Sequence, residues 1–274
     1  MKKSQIEDIE IKLLLEAILR RYGYDFRNYA GASLKRRIHH HLLRSNCESI
    51  AEMIPKLLHD SSFFELLLFD FSITVTEMFR DPSFYLSVRE KVIPYMKTYP
   101  FTKVWHAGCA TGEEVYSMAI LLKEEESLDK ATIYATDFND SALSKSKSGI
   151  YPINNVQQYT ANYQKAGGVG SFSEYYHSQY DSIILDQSLK TRLTFANHNL
   201  VTDGVFGEMN LILCRNVLIY FDRDLQSRVL KLFYDSLIDG GFLCLGNKES
   251  AQFSDVSEDF ELIDPKEKIY RKKS

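Results

Sequence analysis

The chain is poor in the features of a secreted, membrane-spanning or metal-built protein. It has only four cysteines in 274 residues, Cys47, Cys109, Cys214 and Cys244, with no C-x-x-C pair. That scatter excludes a zinc framework and a disulfide scaffold, and the four read as reduced thiols, mostly in the core. No apolar stretch approaches the roughly 20 residues that cross a bilayer. The start, Met1-Lys2-Lys3-Ser4-Gln5-Ile6-Glu7-Asp8, lacks the apolar segment of a signal peptide, so a cytoplasmic protein is expected. A net charge of −4 names no partner. There is no Ser-His-Asp order, no internal repeat and no metal-ligand spacing. The run His39-His40-His41 cannot close on one ion, because consecutive helical positions diverge, so no metal is expected.

What is present is an ordinary globular composition, 45% hydrophobic and 26% charged, long enough for one large domain and a small one. Its organising stretch is Lys103-Val104-Trp105-His106-Ala107-Gly108-Cys109-Ala110-Thr111-Gly112-Glu113-Glu114-Val115-Tyr116. An apolar run ends in a loop with two glycines, and a helical pattern opens on two glutamates. This is the first strand–loop–helix corner of a nucleotide-type α/β fold, whose ligands sit beyond the strand's carboxyl end. The pattern is not G-x-G-x-x-G, and two carboxylates stand where a pyrophosphate would bind. They cap the helix favourably whatever the ligand. They also repel a dinucleotide and suit a cation such as the sulfonium and amino group of S-adenosylmethionine.

Before this corner the chain reads as helical. Ile6, Ile9, Leu13, Leu14 and Leu15 make one stripe. Ser33 can cap a second helix from Leu34 to about Arg44, with Leu34, Ile38, His41 and Leu42 on one face. Residues 20–44 hold seven basic residues (Arg20, Arg21, Arg27, Lys35, Arg36, Arg37 and Arg44) and one acid, Asp25. Such a face steers an acidic protein or a nucleic acid, or is simply solvated. Pro55 and Asp60-Ser61-Ser62 break further helices. Residues 72–82 form a junction, either a linker or the lining of a cleft between domains, and a helix follows over 83–97.

From 103 onward strands and helices alternate. Strand 103–109 leads to a helix from Glu113 to about Glu125. Strand 131–137 ends in Asp137, either a ribose-binding acid or a cap for the helix over 141–149. Residues 151–190, with six tyrosines and Gly167-Gly168-Val169-Gly170, are too long for a simple connection. They are expected to be an inserted subdomain with antiparallel strands near 179–195, or a helical loop and hairpin packed by tyrosines. Strands at 191–200 and 209–216 resume the sheet. A helix runs from about Arg223 to Ile238, Asp239-Gly240-Gly241 turns into strand 242–246, and a hairpin closes the chain. Asp137, Asn199 and Arg215-Asn216 thus end strands on the side of the Gly108–Glu113 corner. The expected fold is α/β, a Rossmann-like doubly wound domain over 83–274 with a small inserted β-subdomain at about 151–190, preceded by an all-α domain over 1–71 and the 72–82 linker.

Together, Thr76-Glu77-Met78-Phe79-Arg80-Asp81-Pro82, Gly108-Cys109-Ala110-Thr111-Gly112-Glu113-Glu114, Ala135-Thr136-Asp137, His198-Asn199-Leu200, Cys214-Arg215-Asn216-Val217-Leu218-Ile219-Tyr220-Phe221-Asp222 and Gly240-Gly241-Phe242-Leu243 resemble the CheR chemotaxis receptor methyltransferases in order and spacing. Tyr24-Asp25-Phe26 and Ser33-Leu34-Lys35-Arg36-Arg37 extend the resemblance into the helical part. The C-R-N-V-L-I-Y-F-D run is its most specific portion. The chain differs from the usual pattern at Thr74, Ala110, Val115 and Asn247-Lys248-Glu249.

The resemblance implies an S-adenosylmethionine-dependent protein-glutamate O-methyltransferase that releases S-adenosylhomocysteine. It implies that Thr74, Thr76 and Arg80 line the cofactor and active-site cleft. Gly108 belongs to the cofactor loop, Glu113 meets the methionine part and Asp137 the ribose. Asn199-Leu200 and Asn216-Val217 hold the adenosine and the methionyl end. Tyr220 stands near the transferring methyl and, with Arg80, orients the acceptor. Lys35, Arg36, Arg37 and Arg44 face the acidic methylation helices of a receptor's cytoplasmic region, so the membrane is met only through that receptor. In some members the inserted subdomain tethers a receptor tail. The other readings are a non-catalytic module that binds the cofactor, and a methyltransferase of another acceptor. A nucleic-acid acceptor is disfavoured, because the Asn-Pro-Pro-Tyr/Phe type of motif is missing.

Overall fold

The computed structural model describes residues 3–71 and 76–274. It forms two compact units, Met1–Ile73 with Ile219–Gln226, and Thr74–Leu218 with Ser227–Ser274.

The first unit is helical: α1 (Lys3–Tyr22), α2 (Gly31–Arg44), α3 (Ile50–His59) and α4 (Ser61–Phe71). α1 packs on α3 and α2 on α4, around buried Leu14, Ile18, Ile38, Met53, Leu57, Leu67 and Phe71. Three local expectations change. The apolar face of α1 is Leu14, Leu15 and Ile18, whereas Ile6, Ile9 and Leu13 are exposed. α2 starts two residues before Ser33, with Ala30 at the N-cap and no side-chain cap bond. Pro55 lies inside α3, where it removes one backbone donor, and the helix continues because Met53 and Leu57 bury its core face. The segment Ile219–Gln226 joins this unit through the backbone. The Ala30 amide donates to the Tyr220 carbonyl (2.8 Å), the Asp222 amide donates to the Asn28 carbonyl (2.9 Å), and Tyr29 packs edge-on against Phe221.

The second unit opens with α5 (Pro82–Lys91) and α6 (Ile93–Met96). It continues through β1 (Thr102–Ala107), α7 (Glu113–Glu124), β2 (Ala131–Asp137) and α8 (Asp140–Ser148). Gly149 adopts a left-handed conformation and ends α8, as its place after the helical pattern suggests. Next come β3 (Ile150–Pro152), α9 (Val156–Lys165), β4 (Tyr176–Gln179), β5 (Ser182–Leu185), α10 (Gln187–Lys190) and β6 (Leu193–Asn197). β7 (Met209–Cys214), α11 (Arg223–Ser236), β8 (Leu237–Leu245), β9 (Phe260–Asp264) and β10 (Ile269–Lys272) complete the chain; the first residues of α11 belong to the helical unit.

The main sheet has the order β6-β2-β1-β7-β8-β10-β9, with β6, β2, β1, β7 and β8 parallel and the last two antiparallel. β1 lies between β2 and β7, so strand order reverses there, and such a reversal opens a crevice at the carboxyl edge. β7 is a nearly continuous apolar run and β1 is buried at every position but Lys103, because both their faces are covered.

The insert is a separate antiparallel sheet, β3-β5-β4, with α9 beside it. β5 falls within the expected 179–195, β3 and β4 begin before it, and residues 193–197 belong to the main sheet. Tyr151, Tyr159, Tyr163 and Tyr175 are buried with Phe172, while Tyr180 at the hairpin turn is exposed. Gly240-Gly241 is not a turn before a strand. Both glycines lie within β8, where the pairing with β7 shifts register.

Candidate active site

The register of the sheet brings the ends of four strands together. β1 delivers the Gly108–Glu113 corner, β2 Asp137, β6 Asn199, and β7 Arg215 and Asn216, all at one edge. The corner is tight. Gly108 has φ +78°, and a Cβ there would meet Val217 Cγ2 at 2.7 Å. The amides of Gly108 and Cys109 both donate to the Thr136 carbonyl, tying the corner to β2. Gly112, at φ +91°, lies against Ser146, and a Cβ would stand 2.0 Å from its hydroxyl.

Asp137 is 8% exposed, and its two oxygens accept from the amides of Ala110 (2.9 Å) and Asn139 (3.0 Å). The cap of α8 is Asn139, not Asp137. Burial raises the Asp137 pKa and the amide donors oppose the rise. The amide of Phe138 acts on it as well, and a carboxylate with about four acceptor positions still has room for a ligand hydroxyl.

Glu113, in the first turn of α7, is 4% exposed; its Oε2 accepts from the Thr111 hydroxyl at 2.6 Å. Burial pushes its pKa up to about 7, against the Thr111 bond. Its own backbone amide and the charge of Lys145 oppose the rise as well. Asn199 closes an Asx turn, its Oδ1 accepting from the Val201 amide at 3.0 Å, and Leu200 beside it is buried.

The β7 end divides its two polar residues between different tasks. Asn216 is left-handed at φ +63°. Its amide donates to Glu249 Oε2 at 2.9 Å, and the Gly246 amide donates to the same oxygen at 2.6 Å. Glu249 therefore fixes the turn that presents Asn216 and Val217. It was not anticipated, although a glutamate in the first turn after a core strand is a signal that could have found it. Arg215 ends its strand at this edge, but its side chain is buried away from solvent. Its guanidinium bonds Asp81 (2.8 Å) and Glu114 (3.1 Å) and lies 4.0 Å from the centre of the Phe84 ring. The other oxygen of Glu114 meets His106 at 3.0 Å. Burial pushes the Glu114 pKa up, but His106 and Arg215 overcome this and hold it below the usual range.

Thr76 and Arg80 line a cavity of about 350 Å³ with Glu77, Asn155, Gln158 and Tyr159. The last three come from the insert and its helix α9 and were not anticipated. Asn155 donates to the Tyr159 hydroxyl at 3.2 Å, and burial pushes the Tyr159 pKa up to about 12, so it remains a neutral phenol. Thr74 lies outside the described residues.

In the helical unit the expected basic face is smaller than its sequence. Arg37 is buried at 7% exposure, bonded to the Phe71 carbonyl and stacked on Tyr220 at 4.6 Å from the ring centre. It does not belong to an exposed surface, because it falls on the same face as Leu34, Ile38 and His41. Lys35 pairs with Glu7 (2.9 Å) and Arg44 with Asp70 (3.1 Å), while Arg36 is exposed. Tyr220 lies in this unit, on the short turn Leu218–Tyr220.

The strand-edge residues fit S-adenosylmethionine. Two buried carboxylates, Glu113 and Asp137, offer acceptors for an amino group and for ribose hydroxyls. Two family profiles match the chain: the CheR methyltransferase SAM-binding domain over residues 74–269 and the CheR all-α domain over residues 9–72. The chain is 51% identical to the methyltransferase Cher3 of Pseudomonas putida over 99% of this chain and 100% of that protein. It is 27% identical to a chemotaxis protein methyltransferase of Listeria innocua, over 89% of this chain and 92% of that protein. Among solved structures, the N-methyltransferase NodS of Bradyrhizobium japonicum in complex with S-adenosyl-L-homocysteine is similar at 11% identity and a TM-score of 0.41, over 72% of this chain and 89% of that one. That distance carries no argument. The profiles and the full-length relative do: the chain belongs to the CheR methyltransferase family, the S-adenosylmethionine-dependent protein-glutamate methyltransferases.

Proposed function

We propose that this chain methylates glutamate side chains in the acidic helical cytoplasmic region of a chemoreceptor, working as a cytoplasmic enzyme. The observation that carries this is the gathering of Glu113, Asp137, Asn199 and Asn216 at the carboxyl edge of one sheet, in a chain whose family acts on protein carboxylates. Relatives named as chemotaxis protein methyltransferases support the choice of acceptor. The working division is a helical domain over 1–71, a cleft-lining segment over 72–82 and the methyltransferase domain over 83–274.

Bound S-adenosylmethionine supplies a methyl group activated by its sulfonium. Glu113 holds the methionyl amino group and Asp137 the ribose hydroxyls. Asn199-Leu200 and Asn216-Val217 enclose the adenosine and the methionyl end, and Gly108 and Thr76 complete the wall. Arg80 and Tyr220 orient the acceptor. A glutamate side chain has a pKa of about 4.3, so it is an ionised nucleophile at neutral pH and needs no general base. The chain must instead align the reacting groups, an effect worth about 7–11 kcal/mol, and exclude water from them. Lys35, Arg36 and Arg44 supply the basic docking face.

The test is methyl-labelled cofactor with receptor-containing membranes, counting label released as methanol by mild alkali. Alkali-labile label on a receptor-sized protein is the expected result, and Arg80→Ala removes most of it. Absence of labile label, with S-adenosylhomocysteine still binding, overturns the proposal in favour of a cofactor-binding signalling module.

A further inference from the structure

We propose that Arg215 is a positioning residue for Arg80, acting through Asp81; this rests on the acceptor-orienting role given to Arg80 above. Arg80 sits between two non-glycine residues in the left-handed region, Phe79 at φ +53° and Asp81 at φ +57°. A bulky residue such as Phe79 rarely adopts that conformation, and such strain persists only where the surroundings over-determine it. Both flanks are so held. The Phe79 ring is fully buried, and its amide donates to the Ser117 hydroxyl at 2.8 Å. The Asp81 carboxylate accepts from Arg215 at 2.8 Å, and the Arg80 carbonyl lies 3.5 Å from the same guanidinium.

Arg215 is itself closely packed. Its side chain is 1% exposed, clamped by Glu114 and by the face of Phe84. Glu114 is in the first turn of α7, next to Glu113. One buried guanidinium thus links the end of β7, the helix that starts at the cofactor corner, and the strained loop that carries Arg80. The Asp81 side chain makes no capping bond to α5, although it occupies the N-cap position. Its carboxylate therefore serves Arg215 rather than the helix. A planar fork bonding two carboxylates and stacking on a ring is a task that lysine cannot perform.

The test is a double-mutant cycle on the full chain with receptor-containing membranes. Asp81→Asn keeps the left-handed preference and the side-chain shape while removing the charge that Arg215 holds. With Arg80 present it is expected to lower kcat by about tenfold or more, the scale of a small misplacement of a reacting group. In an Arg80→Ala background the same change has less than about a twofold effect, because there is nothing left to position. Arg215→Lys reproduces this pattern if it folds, as judged by its thermal melt. Calorimetry with S-adenosylhomocysteine gives a second readout: Asp81→Asn weakens binding no more than Arg80→Ala does. Equal losses in both backgrounds, or no loss with Arg80 present, overturn the proposal. Full activity in Arg80→Ala alone overturns instead the role of Arg80 on which it stands.

Discussion

With Glu113 proposed to hold the amino group of the cofactor, affinity is expected to fall as pH is lowered. Its carboxyl is buried, keeps one hydroxyl donor, and has a pKa pushed up to about 7. Without ligand, about a tenth of the sites carry the charge at pH 6 and about nine tenths at pH 8. If the ionised form holds the amino group of the cofactor, the affinity for S-adenosylhomocysteine falls by about tenfold from pH 8 to pH 6, or about 1.4 kcal/mol. Binding near pH 6 then releases close to one proton. Calorimetry at pH 6, 7 and 8, in two buffers of different ionisation enthalpy, measures both quantities. Glu113→Gln should flatten the profile and abolish the proton release, with affinity at pH 8 reduced. A flat profile in the parent protein, or the same slope in Glu113→Gln, refutes the assignment.

The same group sets a stability trend of definite sign. Its folded pKa lies above its unfolded one, so between about pH 4.5 and 7 the folded state binds more protons. Stability from this group is full below that window and is lost as pH rises through it, by up to roughly 3 kcal/mol. Ligand-free melts should therefore lose stability across this range relative to Glu113→Gln.

Three further outcomes follow from particular contacts. Glu249→Ala leaves the buried amides of Asn216 and Gly246 without their acceptor and should weaken S-adenosylhomocysteine binding by about tenfold; an unchanged calorimetric Kd would separate Glu249 from the site. Gly112→Ala forces φ +91° on a residue with a Cβ and drives it into Ser146; a loss of about 2 kcal/mol lowers the Tm by about 4–8 °C in a differential scan, and an unchanged Tm would contradict the packing. Arg36→Glu should raise the KM for receptor in a salt-sensitive way at unchanged Tm, while Arg37→Gln should lower the Tm by breaking the buried contacts with Phe71 and Tyr220.

The strand edge was legible before any coordinates because its signals are local. β2 spans the expected residues, and α7 opens at Glu113 where the second glycine of the corner places it. A buried parallel strand is a short apolar run closed by polar residues, and glycine marks the bend that follows. The face of α2 was half legible. Leu34, Ile38 and His41 pointed to the core, but Arg37 completes the same spacing of three and four, and its charge disguised a buried position.

The remainder depended on partners far apart in the chain. Arg215 meets Asp81 across 134 residues and Asn216 meets Glu249 across 33. No periodicity announces a carboxylate that satisfies a turn on another strand, or a buried arginine that clamps a loop. Such pairs form only when the sheet order sets two loops side by side, and desolvation then makes each charge require its partner. Composition, glycine punctuation and apolar runs were enough to establish an α/β domain with a cation-tolerant corner behind a helical domain. Which polar side chains reach the strand edge, and which turn inward to hold the loops that do, followed from packing.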